Sequence, residues 1–321
     1  MPYAIGLDVG GTFLKAALVE ASRGVVRAMR LPTRAAQGPE RVIRQMAEAV
    51  RLLLAEAPEP PLGIGIGCAG HVDQEGRTVS YPPNFPGWTV VPLVDRLRAH
   101  LDWPALIALD NDANAAARGE AAFGAGRGMR HFLLLTLGTG VGGAVVLDGR
   151  LWRGLSGGAG EFGHMTIHYR GPRCNCGARG CIEAYVGERY VLRRARRLLK
   201  KHPESSLAMR LLRRTRAGVR DLVEAAQAGD ELARAVLAEA GRLLGYALAS
   251  AVHLLDVRCI IVGGGVAQAG GLLLEPAQAA LLERLMPPFR DGLELRPAAL
   301  GNQAGVLGAA QLIFERACAG P

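Results

Sequence analysis

The sequence predicts an α/β protein of two domains facing each other across a cleft, and three observations carry that expectation. Apolar strands alternate with helical stretches along the chain, the pattern of layered α/β architecture. A strand, a glycine turn and a second strand open the chain and recur near its middle, as in two related halves. A length of 321 residues exceeds what one compact core usually holds. Residues 1–115, completed by a C-terminal helix over 302–321, are expected to form the smaller domain, and residues 116–301 the larger.

Taken in order, the elements follow from local pattern. Tyr3 to Val9 is an apolar strand, Gly10-Gly11-Thr12 a turn, and Phe13 to Val19 a second strand, with a further candidate at Val25 to Leu31. Val42, Met46, Val50 and Leu53 recur at helical spacing and predict a helix over Pro39–Glu56. Leu62 to Gly67 returns to strand and ends at Gly70. Ala105 to Leu109 is a strand running into Asp110-Asn111-Asp112, after which the alanine-rich stretch to Phe123 reads as helix. Phe132 to Leu137, the glycine run 138–143 and Ala144 to Leu147 repeat the opening arrangement. Asp230 to Leu255 carries a long helical pattern. Cys259 to Val262 is a strand ending at Gly263-Gly264-Gly265, and Ala304 to Arg316 is the terminal helix.

Half of the residues are apolar and 21% are charged, a composition that buries a core and does not suit a disordered chain. No run of 18 apolar residues occurs, and the N-terminus has neither a basic stretch nor a cleavage site, so no membrane partner and a cytoplasmic location are expected. The net charge of +9 is concentrated. Between Arg189 and Arg216 lie eleven Lys or Arg and one acid, which is +10, leaving about −1 for the rest. Val191, Leu192, Ala195, Leu198 and Leu199 recur there at helical spacing, so a solvated helical face is expected, with a docking patch for nucleic acid or polyphosphate as the alternative; nucleic acid is not an expected partner.

A turn between paired strands lets backbone N–H groups converge on an anion, and glycine leaves room for phosphate oxygens. Gly10-Gly11-Thr12 and Gly138-Thr139-Gly140 each add a hydroxyl donor. Either alone reads equally as a tight hairpin. Asp8 at the end of the first strand and Lys15 beyond the turn add a carboxylate for hydrated Mg²⁺ and a cation for phosphate. With the late glycines, two such turns favour one nucleotide held between the halves. No Walker A sequence and no dinucleotide G-x-G-x-x-G follows the first strand, which weighs against P-loop and nicotinamide chemistry.

Cys174, Cys176 and Cys181 crowd into a loop rich in Gly and Pro, with His164 and His168 nearby, while Cys68, Cys259 and Cys318 are scattered. Three thiolates and one imidazole suit tetrahedral Zn²⁺ and fill it, which makes a structural site without an open position. Spacing alone leaves either histidine as the fourth ligand.

These residues resemble the ROK family of sugar kinases and related repressors, within the actin-like ATPase superfamily. The resemblance runs through Leu7-Asp8-Val9-Gly10-Gly11-Thr12, Asn111-Asp112-Ala113-Asn114-Ala115, Gly138 to Gly143 and Gly158 to His164. It is most specific at Cys174 to Glu183, which is similar to the family's zinc signature and selects His164 as fourth ligand. Gly67-Cys68-Ala69-Gly70 departs from the many members with Pro before the glycine. No winged-helix extension precedes Asp8, so the kinase branch is expected over the repressor branch.

The resemblance implies a ribonuclease H-like, actin-like ATPase fold and ATP with Mg²⁺ as donor. Asp112 is then the base that accepts the proton of the attacking sugar hydroxyl. Asn111, Glu161, His164 and Glu183 bind the other hydroxyls, with Gly70 and Asn84 nearby. Asp8, Gly10, Gly11, Thr12 and Lys15 serve the phosphates together with Gly138, Thr139, Gly140 and Gly142, and Gly263 and Gly264 approach the adenosine. The expected activity is glucose phosphorylation at the 6-hydroxyl. N-acetylmannosamine, fructose, mannose or allose are the alternative substrates and polyphosphate an alternative donor; a sugar sensor without catalysis is the rival of another class. A homodimer or homotetramer is the expected assembly.

Overall fold

A computed structural model describes residues 1–213 and 218–318. The end of the basic segment, at 214–217, and the end of the expected terminal helix, at 319–321, lie outside the described residues. The strands are β1 (Tyr3–Val9), β2 (Phe13–Glu20), β3 (Gly24–Pro32), β4 (Gly63–Cys68), β5 (His71–Val72), β6 (Val79–Ser80), β7 (Val90–Val91) and β8 (Leu106–Asn111). They continue as β9 (Phe132–Leu137), β10 (Val141–Leu147), β11 (Arg150–Trp152), β12 (Cys259–Gly263) and β13 (Glu294–Pro297). The first five helices are α1 (Pro39–Ala55), α2 (Leu93–Arg98), α3 (Asp112–Phe123), α4 (Glu183–Val186) and α5 (Glu188–Leu199). Then come α6 (Leu207–Arg213), α7 (Val219–Gln227), α8 (Glu231–Leu255), α9 (Gly271–Arg284) and α10 (Ala304–Cys318).

Two compact units emerge: Met1–Arg130 with Ala144–Ala159 and Ala299–Pro321, and His131–Gly143 with Gly160–Ala298. All of α3 belongs to the first unit, so a boundary at residue 115 would cut through a helix.

The first unit is built on a sheet in the order β3-β2-β1-β4-β8, antiparallel among β1–β3 and parallel from β1 to β8. Side chains alternate across it with period two. Ile5, Leu7, Ile64 and Ile66 join Val42, Ile43, Met46, Val50 and Leu53 of α1 in one core, whereas Ala4, Ala17 and Ala108 join α10 in another. The residues facing α10 are small for a reason. A Cβ on Gly6 would run into the carbonyl of Val306, and one on Gly65 into that of Ala309. Gly308 meets the carbonyl of Ala115 in α3 in the same way. Glycine here permits helix backbone to lie directly on sheet and helix backbone.

The second unit carries β9, β12 and β13, mutually parallel in the order β9-β12-β13. Its longest helix, α8, starts at Asp230, whose side chain accepts the Ala233 N–H at 2.9 Å. That is an N-cap, satisfying one of the helix's otherwise unpaired donors. By length and composition α8 resembles a membrane span, but 61% of its apolar window is buried inside the protein. Gly241 and Gly245 bring α8 close to the backbone of α9.

Candidate functional site

Each unit assembles some of the residues singled out in the sequence. In the first, Asp8 and Lys15 are cross-strand partners on β1 and β2, and Lys15 Nζ lies 2.8 Å from Asp8 Oδ2. Between them the turn is closed by the Gly10 N–H donating to Phe13 O at 3.1 Å and is braced by Thr33, whose Oγ1 donates to Gly10 O at 2.5 Å. Gly11 lies so close to Asn84 that an added Cβ would stand 2.6 Å from the Asn84 Cβ. The Gly10-Gly11-Thr12 turn and the loop carrying Asn84 are therefore in direct contact. Phe85 and Trp88, with ring centroids 4.7 Å apart, are buried and anchor that loop.

The β8–α3 junction carries Asn111 and Asp112. Asn111 Oδ1 accepts the N–H groups of Ala113 at 2.8 Å and Asn114 at 3.3 Å, and its Nδ2 donates to Gly70 O at 3.1 Å. Asn111 is thus the N-cap of α3 and also ties the junction to Gly70, whose φ of +115° favours glycine. Asp112, the first residue of the helix, is exposed, and the Ala113 N–H reaches its Oδ1 at 3.0 Å. Buried Cys68 sits near both acids: burial first, then the charges of Asp112 and Asp8, push its thiol pKa far up.

In the second unit, the turn between β9 and β10 is closed by the Gly138 N–H donating to Gly140 O at 2.9 Å. The Glu188 N–H at the start of α5 donates to Gly138 O, also at 2.9 Å. Gly263 pairs with Thr136 in register, and Gly264, at φ +94°, lies against the backbone of Leu137. The late glycines therefore stand beside the turn, at the same end of the sheet.

His164, Cys174, Cys176 and Cys181 form a cluster whose ligand atoms all lie within 4.8 Å of one another. Cys176 Sγ is 3.7 Å from Cys181 Sγ, and Cys174 Sγ is 3.7 Å from His164 Nδ1. Ligands about 2.0–2.3 Å from one tetrahedral Zn²⁺ stand about 3.3–3.8 Å from each other, so the donor set fits that ion in kind and spacing. His168 is not in the cluster; its ring stacks on Tyr169. The thiols are unlike. Burial pushes Cys174 up to about 12 and raises Cys181. For Cys176, burial is outweighed by hydrogen bonds from the Ala178 backbone and the neighbouring thiols, and its pKa falls.

Glu183 connects the cluster to the turn. It is 7% exposed; its Oε2 accepts the Val141 N–H at 3.0 Å and its Oε1 accepts from Cys174 Sγ at 3.4 Å. Both oxygens of a carboxylate expected on the sugar are here engaged within the protein. Glu161 and His164 are exposed, with His164 Nε2 3.9 Å from Glu161 Oε2. Since Nδ1 faces Cys174, the ring turns its other nitrogen toward that carboxylate.

Sequence reading missed Asp110. It is 2% exposed, accepts the Asn111 N–H at 2.8 Å and Asn114 Nδ2 at 2.9 Å, and lies 3.3 Å from Arg118 and 3.5 Å from Arg153. Its place directly before Asn111-Asp112 was the only available signal, because Arg118 lies two turns into α3 and Arg153 comes from a distant segment.

The model of the ROK family matches residues 4–316. A glucokinase of Thermotoga maritima is 38% identical over 313 residues, 97% of each chain. The crystal structure of a ROK family glucokinase from Streptomyces griseus, in complex with glucose and AMPPNP, is similar with TM-score 0.86 and 34% identity, over 98% of this chain and 99% of that one. A ROK hexokinase from Thermus thermophilus is similar with TM-score 0.79 and 35% identity, over 99% and 100%.

Proposed function

Because the chain belongs to the ROK family and shares its actin-like ATPase fold, we propose that it is a glucokinase that transfers the γ-phosphoryl group of ATP to glucose. The full-length similarity to glucokinases carries this reading, and retention of Asp112 and both glycine turns supports catalysis over sugar sensing alone.

Phosphoryl transfer passes through a loose transition state, so the protein's work is alignment and charge neutralisation. The glucose 6-hydroxyl oxygen attacks the γ-phosphorus, the bond from that phosphorus to the β–γ bridging oxygen breaks to leave ADP, and the hydroxyl proton passes to Asp112, an exposed carboxylate on a capped helix start. Asn84, Asn111, Glu161, His164 and Glu183, with Gly70, would hold the remaining hydroxyls in directional hydrogen bonds. For Glu183 to do so, its bond to Val141 or Cys174 must give way. The amides of Gly10–Thr12 and Gly138–Gly142 and the Lys15 ammonium would receive phosphate oxygens, while Gly263 and Gly264 flank the adenosine. Mg²⁺ accompanying ATP would neutralise phosphate charge, with Asp8 as its carboxylate. His164, Cys174, Cys176 and Cys181 would hold Zn²⁺, which supplies a fixed orientation for the His164 ring. The setting is the cytoplasm.

A coupled ADP-release assay with glucose, N-acetylmannosamine, fructose, mannose and allose tests the reading. Glucose is expected to give the highest kcat/KM, and silence with every sugar would end the kinase reading. Asp112→Asn is expected to retain glucose binding while kcat falls by roughly 10²–10⁴, the contribution of a positioned base. An undiminished kcat would remove Asp112 from that role.

A further inference from the structure

Two strands away from Asp8, the sheet of the first unit carries a cation that the reaction above does not use. Asp8 on β1 stands opposite Lys15 on β2, and Lys15 stands opposite Arg30 on β3. Directly opposed residues of antiparallel strands share a face, so the three form one row across the sheet. The first two are matched, with Lys15 Nζ 2.8 Å from Asp8 Oδ2. Arg30 is exposed and, among the described residues, has no carboxylate partner. Arg27, on the same edge strand, is by contrast held by Glu56 at 2.8 Å. Like charges directly opposite weaken a sheet, so strand pairing gives no reason for an arginine beside Lys15.

What holds Arg30 is an aromatic ring. Its guanidinium carbon lies 3.5 Å from the centroid of the Phe13 ring. Phe13 is the first residue of β2, directly after Thr12, and is 37% exposed. Arg30 is in register with Lys15 and Phe13 with Pro32, so to reach that ring the side chain leans two residues along the sheet toward the Gly10-Gly11-Thr12 turn. The residue after β3 is tied to the same turn, because the Thr33 N–H donates to Thr12 O at 3.0 Å and Thr33 Oγ1 donates to Gly10 O. A guanidinium stacked on a ring keeps its edge N–H groups free, and that planar fork matches the oxygens of a phosphate two at a time.

We propose that Arg30 is a further nucleotide-binding residue, which grips phosphate oxygens of ATP beside the first glycine turn, and that Phe13 is the positioning residue that aims it. The inference rests on the sugar kinase reading and deepens it. Arg30 meets phosphate in the bound substrate and in the transition state alike, so it acts on affinity and not on the barrier. Asp112 differs, since its loss lowers kcat.

The test compares the full chain with its variants in steady-state kinetics, varying ATP and glucose in turn, and in calorimetric titration with AMPPNP and Mg²⁺. Arg30→Gln is expected to raise KM for ATP and Kd for AMPPNP on the order of tenfold, the worth of one hydrogen bond to a charged group. Its kcat and its KM for glucose should stay within about twofold, which also shows that it folds. Phe13→Leu keeps the cation, removes the ring and is expected to raise KM for ATP roughly threefold, whereas Phe13→Tyr restores the parent value. Arg30→Gln should cost less in the Phe13→Leu background than alone, because the two side chains act as one unit. An unchanged KM for ATP in Arg30→Gln overturns the inference and leaves the kinase reading standing. A parallel rise for ATP and glucose with a lower melting temperature assigns Arg30 to the fold and overturns the inference as well. Equal values for Phe13→Leu and the parent remove Phe13 from its role. A parent chain silent with every sugar brings down the kinase reading, and AMPPNP affinity then decides alone: weakened in Arg30→Gln, the phosphate contact stands; unchanged, it falls.

Discussion

Asp110 shows how one buried charge fixes its neighbours. Its carboxylate takes the Asn111 N–H and the Asn114 amide while Arg118 and Arg153 lie within 3.5 Å. Arg316 stands close enough that burial, then the charges of Arg118 and Arg153, lower its pKa. Removing one member of a buried ionic group leaves the others uncompensated, at a cost of about 3–5 kcal/mol. Asp110→Asn should therefore lower stability by an amount of that order in urea unfolding and should lower kcat as well, because Asp112 stands on the same junction. Full stability in this variant would show that the arginines find other partners. The sequence displays Asn111-Asp112 and the glycine turns because they are contiguous. The Asp110 network also reaches Arg153 and Arg316, the latter about 200 positions away, and that part leaves no local trace.

Among the elements, the loop holding His164 and the three cysteines was the most legible, since crowded thiols on a Gly- and Pro-rich segment have few other uses. The route from it to the turn was not. Glu183 reaches Val141 across 42 residues, a link that spacing does not encode. With Zn²⁺ bound, Cys176→Ser should weaken glucose affinity and lower the melting temperature together, since the loop that orients His164 would lose a ligand; chelation should do the same to the parent protein. Independence of both quantities from metal would show that the cluster holds none. Strand and helix limits shifted by a residue or three. The run of Gly142-Gly143 was expected as turn but lies in β10, where Gly143 packs against the Phe162 ring and the Leu134 carbonyl. The expectation of a helix across the basic segment came from buried positions alone and is met by α5.

For the molecule as a whole, alternation of strand and helix carried the α/β class, because burial on one sheet face imposes period two and on a helix period 3.6. Which helix covers which face depends on contacts far apart in sequence. Gly6 and Gly65 looked like ordinary strand glycines; only the structure shows α10 lying against them. Gly65→Ala places a methyl group against the carbonyl of Ala309 and is expected to reduce stability by on the order of 1–3 kcal/mol, seen as a lower urea midpoint at unchanged m-value. An unchanged midpoint would mean that α10 moves aside at no cost.

The position of α10 also bears on synthesis. β1 and β2 are made well before the helix, beginning at Ala304, that seals one side of their sheet. At about 5–20 residues per second, a ribosome needs roughly 15–60 s between the two. Throughout that interval the nascent chain presents an open apolar surface, and the cell must keep it from sticking to its neighbours until α10 has been made.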